Sequence, residues 1–137
     1  MKLWNVGGKV RDIAAEQDFL AAAGAQVRGV ELIEVDGQPG TVLFAEVGDT
    51  RVLVFESVGF EAALGRELGL GWSHIVFEVE DFPAALDRMV AAGARIVQGP
   101  AVVRASFSHR RIAFVESPGG CVYEVFAELP AEATAGE

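Results

Sequence analysis

The chain has 137 residues, enough for one domain with a sizeable core. A composition that is 51% hydrophobic and 23% charged excludes a disordered chain. With 20 acidic against 11 basic residues the net charge is −9, which excludes the clustered Lys and Arg of a nucleic-acid surface and suits a cationic ligand as well as plain solubility.

The N-terminal Met-Lys-Leu-Trp-Asn-Val-Gly-Gly lacks the apolar run of a signal peptide. No stretch reaches the roughly 18 apolar residues of a membrane span. Residues 3–10 read as a strand, and Asp12 as the N-cap of a helix over about 13–23 that turns Ile13, Phe19, Leu20 and Ala23 to one side and stops at Gly24. Strands are expected at about 26–34, 41–47 and 51–56, separated by Asp36-Gly37-Gln38-Pro39-Gly40 and by Gly48-Asp49, both of them turn chemistry. A polar, glycine-punctuated connector over 58–71 has room for a short helix around Glu61–Leu68.

The pattern then restarts. Strand 73–79 alternates, with Ile75, Phe77 and Val79 on one face and His74, Val76 and Glu78 on the other. Asp81 caps the next helix, Pro83 sits just inside it, and Gly93 closes it. Strands are expected at about 94–98, 110–116 and 121–128, leaving 98–109 as a loop. Cys121, the single cysteine, opens the last strand as a buried small hydrophobe; with no intrachain disulfide available, a reducing cytoplasm is the expected compartment. Residues 129–137 read as a frayed tail.

A shift of 69 residues lays the first half on the second. Asp12 meets Asp81, and Ala22-Ala23-Gly24-Ala25 meets Ala91-Ala92-Gly93-Ala94. At the end of each half the shift is 71, so that Val54-Phe55 meets Val125-Phe126. The prediction is a single α+β domain over 3–128: unit one at 3–57, connector 58–71 and unit two at 72–128, two pseudo-symmetric βαβββ units forming an open, cup-like curled sheet with helices outside. Lys9 and Glu78 occupy matching positions and are expected to pair as ions across that pseudo-twofold.

The repeated βαβββ order resembles the vicinal oxygen chelate superfamily of glyoxalases, bleomycin-resistance proteins, epimerases and extradiol dioxygenases. So do the phrases His-Ile-Val-Phe-Glu-Val-Glu-Asp-Phe-Pro-Ala-Ala-Leu and Arg-Ile-Ala-Phe-Val-Glu-Ser-Pro-Gly-Gly-Cys-Val-Tyr-Glu-Val. That resemblance implies a cup holding a divalent metal, with ligands on the first and last strand of each unit. Here those positions are Asn5, Leu53, His74 and Glu124. His74 and Glu124 keep ligand chemistry, Asn5 offers a neutral amide, and Leu53 offers nothing. Glu124, flanked at two residues on either side by Val122 and Phe126, sits in apolar surroundings and needs a partner. His74 and Glu124 make two thirds of a 2-His-1-carboxylate site, able to take Zn²⁺, Ni²⁺, Mn²⁺ or Fe²⁺.

Two functions follow. One is a metal-dependent lyase or isomerase acting on a substrate with adjacent oxygens, with His74 and Glu124 as ligands, Glu124 also catalytic, and His109 carrying a proton if its loop folds over the cup. The other is a metal-free protein of the bleomycin-resistance type that sequesters a small molecule. A ring-cleaving dioxygenase is a poorer third, because Asn5 stands where its iron needs a second histidine. In each reading Asn5, Leu53, Phe55 and Phe126 contact the small molecule, and one of Arg104, Arg110 and Arg111, Arg111 foremost, clamps an anion. A homodimer is expected, since exposed strand edges need covering; nucleic acid and membrane are not expected partners.

Overall fold

A computed structural model describes residues 1–130. The tail expected to fray lies, from residue 131 on, outside the described residues. The chain order is β1 (Lys2–Lys9), α1 (Ile13–Ala23), β2 (Gln26–Val35), β3 (Gln38–Val47), β4 (Thr50–Phe55), α2 (Glu61–Leu64), β5 (Gly71–Glu78), α3 (Phe82–Ala91), β6 (Arg95–Ala105), β7 (Ser108–Glu116) and β8 (Val122–Glu128).

Local signals set the helices where the sequence puts them. Asp12 accepts a hydrogen bond from the Ala15 N–H at 3.2 Å, and Asp81 accepts one from Ala84 at 3.1 Å. Gly24 ends α1 at φ 107°, a left-handed conformation that glycine adopts without a Cβ penalty. Phe19 does not join the buried face of α1. It is exposed, and Ile13 and Leu20 alone carry that helix onto Leu43, Val52 and Val54. The second long helix is anchored better: Phe82, Ala85 and Leu86 of α3 pack on Ala113, Val115 and Val125. Removing its cap in Asp81→Ala should lower stability by about 1 kcal/mol, measured by urea unfolding.

The eight strands close on themselves in the order β1-β4-β3-β2-β6-β7-β8-β5. This corrects the expected open cup: the sheet is a ring, with α1 and α3 on its outside. β1 runs parallel to β4 and β5 parallel to β8, and β1 and β5 pair antiparallel along one seam. The other seam is short, Ile33–Val35 against Val103–Ala105, continued by Asp36, whose N–H donates to Val102 O at 2.8 Å and whose carboxylate accepts from Val102 N at 2.9 Å. That seam exists because β6 runs on to Ala105. The segment expected as the loop 98–109 is a long hairpin with β7, and its register shifts around Gly99-Pro100 let the strand pass its own breakers.

Strand alternation then sorts the side chains. Leu43, Val52, Val54, Ala113 and Val125 face the helices, while Val42, Phe44, Leu53, Val76, Ile112 and Phe126 face the interior of the ring. A bulge between Leu3 and Asn5 turns Trp4 inward as well, edge-on to Phe44 and Phe126. Trp72 stays exposed, and so does Cys121, against the expectation that it is buried. Lys9 does not pair with Glu78, because the antiparallel register of β1 and β5 puts them at opposite ends of the seam. Lys9 binds Glu61 at 3.0 Å, and Glu78 lies 3.7 Å from Lys2. Among the described residues no helix is long and apolar enough to cross a membrane.

Candidate active site

One end of the ring interior is a cavity of about 540 Å³ whose wall is mostly apolar. The residues 58–64, with Val58, Phe60 and Leu64 packed on Val97 and Val122, floor it. Its buried polar groups are inward-facing positions of different strands, Asn5 on β1, His74 on β5, Arg110 on β7 and Glu124 on β8, while Gln38, Thr41, Glu56, Ser57 and Gln98 line it in less buried positions.

His74 is held on every side. Its ring stands edge-on to Phe60 and Phe114, at centroid separations of 5.2 and 5.6 Å. Its third neighbour is the backbone of Gly7, its register partner on β1. A Cβ at Gly7 would lie 2.5 Å from Nε2 and 2.8 Å from Nδ1, so only glycine leaves room for the imidazole. Ser73 Oγ is 3.4 Å from the Gly7 carbonyl and 2.9 Å from His74 Nδ1. The contact to Nδ1 holds the ring in place and leaves Nε2 as the nitrogen on the Glu124 side. Nε2 lies 3.7 Å from Glu124 Oε1. The pair places an imidazole nitrogen beside a carboxylate in a buried, mostly apolar wall.

Arg110 is the second charged feature and is 4% exposed. Its guanidinium carbon sits 4.2 Å from the Trp4 ring centroid and 3.7 Å from that of Phe126. Its Nε donates to Ser108 Oγ at 2.5 Å, and that hydroxyl donates to Glu128 at 2.8 Å. Burial pushes the guanidinium below its ordinary pKa, opposed by the negative charges of Glu124, then Glu128 and Glu78, while Arg51 acts with burial.

The expected site residues divide. Asn5, Leu53, Phe55, His74 and Glu124 lie on the cavity wall. Phe126 is fully buried behind it, under Trp4 and Arg110. His109 and Arg111 are not on the wall. β7 begins at Ser108, so His109 lies on the strand, and alternation turns 110 and 112 inward and 109 and 111 outward. His109 Nε2 meets Arg104 at 2.9 Å, and Arg111 is exposed. Of the three arginines considered for anion binding, Arg110 alone lines the cavity. The roles of Phe60, Phe114 and Gly7 around His74 went unread, although the inward parity of β7 would have yielded Phe114 and Arg110 together.

Residues 7–125 match the family model described as the Glyoxalase/Bleomycin resistance protein/Dioxygenase superfamily. The chain belongs to that superfamily. It is 32% identical over 100 residues to the ethylmalonyl-CoA/methylmalonyl-CoA epimerase of Cereibacter sphaeroides, covering 66% of this chain and 75% of that protein. Among solved structures it resembles methylmalonyl-CoA epimerase from Mycobacterium tuberculosis, with TM-score 0.69, 21% identity and coverage of 97% and 91% of the two chains. It also resembles the Streptomyces coelicolor methylmalonyl-CoA epimerase in complex with 2-nitronate-propionyl-CoA, with TM-score 0.69, 22% identity and coverage of 95% and 99%. At these identities the structural likenesses establish the fold.

A divalent metal, as the superfamily resemblance implies, calls for four donors from these strands. His74 and Glu124 supply two and Asn5 an amide, while the fourth position is the hydrocarbon of Leu53, packed with Val42 and Phe44. Among the described residues no three His, Cys, Asp or Glu side chains form a group that could hold a metal ion. The donor set does not fit the four-ligand centre, nor a facial triad, and no step below is routed through a metal.

The floor of the cavity depends on one ionised contact. Glu61 of α2 accepts from Leu68 N–H at 2.6 Å and from Lys9 at 3.0 Å, and these bonds, the backbone one first, hold its carboxyl below the ordinary 4.5. A carboxylate whose pKa is depressed by folding stabilises above its unfolded value, and the contribution is lost as pH falls through the folded one. The melting temperature of the native protein should therefore fall further between about pH 5 and pH 3 than that of Glu61→Gln. Equal slopes in the two proteins would refute the assignment.

Proposed function

We propose that this protein is an isomerase that moves a proton on a carbon beside a carbonyl, acting on a short acyl thioester of the kind named for its epimerase relatives. The observation that carries the reading is the His74–Glu124 pair on the wall of an apolar cavity, in a chain 32% identical to an acyl-CoA epimerase. We read the two halves as pseudo-symmetric βαβββ units, with the pair contributed by unit two.

In this mechanism His74 Nε2 takes the α-proton and the C–H electron pair moves onto the carbonyl oxygen as an enolate. The imidazolium formed faces the Glu124 carboxylate 3.7 Å away, and the opposite charge stabilises it where both side chains are buried. The amide of Asn5 supplies a hydrogen-bond donor for the enolate oxygen. The imidazolium returns its proton to the face it was taken from, leaving only an isotope label, and inverts the centre when the planar enolate turns its other face toward Nε2.

The test is proton NMR of methylmalonyl-CoA and ethylmalonyl-CoA in deuterated water with catalytic protein and excess chelator. The α-proton signal should disappear faster than in the protein-free control. Equal rates with and without protein would overturn the reading. The sequestering alternative is favoured by Leu53 in a ligand position, and it predicts saturable binding of such a molecule with no exchange.

A further inference from the structure

Arg110 is a buried cation whose hydrogen bonding is incomplete. A guanidinium carries five N–H donors. Among the described residues the one hydrogen bond it makes is Nε to Ser108, while Nη2 is closed off from solvent and has no acceptor. The nearest oxygen of an ionised group, Glu128 Oε1, is 3.9 Å from Nη2, beyond a hydrogen bond. Its guanidinium lies against two rings set at 85° to each other, Trp4 and Phe126, which hold it in the wall while Nη2 is left without a partner. Unpaired buried donors cost free energy, and a cation held this way is stabilised by an anion that brings acceptors with it.

The placement identifies that anion. Arg110 shares the cavity wall with His74 and Glu124, and among the charged groups acting on it Glu124 contributes most. A ligand whose reacting carbon reaches His74 thus has Arg110 within the same small chamber. The carboxylates on the wall, Glu56 and Glu124, repel anions, and beyond His74 and Arg110 its other polar residues, Asn5, Gln38, Thr41, Ser57 and Gln98, are neutral. Nη1, neither bonded nor closed off, is the donor left to meet a carboxylate there.

We infer that Arg110 is the carboxylate-recognition residue of this cavity, selecting acyl substrates that carry a free carboxylate on the reacting carbon. The inference rests on the isomerase reading and adds to it the residue that reads the carboxylate of the substrate. The guanidinium then also draws charge from the enolate, a role that the missing metal ligands leave open. Ser108 acts as a positioning residue, turning the guanidinium edge through its bond to Nε.

The experiment compares binding of methylmalonyl-CoA and propionyl-CoA, which differ by that carboxylate, by calorimetry with the native protein, R110M, R110K and S108A. Native protein should prefer the carboxylate-bearing thioester on the order of 10- to 100-fold. R110M should bind both alike. R110K should keep only part of the preference, because an ammonium lacks the planar fork. S108A should lose a few-fold while retaining the charge. Should R110M fail to fold, as judged by its melting transition, R110K and S108A decide. A preference unchanged in the folded variants, no preference in the native protein, or no binding of either thioester overturns the inference. Proton exchange separates the two claims: a preference dependent on Arg110 without exchange sinks only the isomerase reading, and exchange without it sinks only the assignment of Arg110.

Discussion

His74→Ala and Glu124→Gln should each slow α-proton exchange by about 10²- to 10⁴-fold, the usual contribution of a positioned acid–base group. The first removes the nitrogen that receives the proton. The second keeps the shape of the side chain and removes the charge that faces the imidazolium across 3.7 Å. Because the two act as one unit, the double variant should be little slower than the worse single one. Stability separates loss of chemistry from loss of fold. Glu124→Gln is close to isosteric and should melt near the native protein. His74→Ala empties a space between Phe60 and Phe114 and should melt lower. Exchange at the native rate in both folded variants would remove the pair from the mechanism. Slow exchange in His74→Ala with native exchange in Glu124→Gln would leave the histidine as base and strip the carboxylate of its role.

Those two residues were reached through the family resemblance, which marks positions on the first and last strands, and local alternation then turns both inward. His74 is fixed by alternation on β5, Glu124 by alternation on β8, and each strand is framed by a cap or a turn within a few residues. The helices were legible from local signals: Asp12, Asp81, Gly24 and Gly93 act within one turn of chain. Closure of the ring was not legible. It depends on the end of β6 meeting β2 over three residue pairs some 70 positions apart, and on β6 continuing through Gly99-Pro100, which reads as a break. One misplaced strand start then carried through to the site. With β7 begun at 110, His109 reads as a loop residue able to fold over the cavity; begun at Ser108, it is held on the outward face, while alternation turns Arg110 inward and Arg111 outward from either start. The Lys9–Glu78 expectation failed on register. Matching positions in a repeat share an environment without being neighbours, and these two sit at opposite ends of an antiparallel seam.

Gly7→Ala should be among the most damaging single-methyl additions in the chain, and its reason is a side chain 67 residues away. Gly7 carries no left-handed backbone angle, so alanine is conformationally acceptable there and in a strand would ordinarily stabilise by roughly 0.5–1 kcal/mol. The obstacle is the imidazole of His74, whose Nε2 would lie 2.5 Å from the new carbon. His74 cannot retreat, because Phe60 and Phe114 stand against it. The cost should be about 1–3 kcal/mol of stability, the range for an overpacked core, together with loss of proton exchange as the ring is driven from Glu124. The origin of the cost is open to a direct check. In a His74→Ala background the obstacle is absent, and Gly7→Ala should become neutral or stabilising, giving a coupling of roughly 0.5–3 kcal/mol in a double-mutant cycle by urea unfolding. An additive cycle would show that Gly7 serves the backbone of β1 alone. A coupled one would make the glycine part of the site, the position at which the first half of the chain yields space to the base carried by the second.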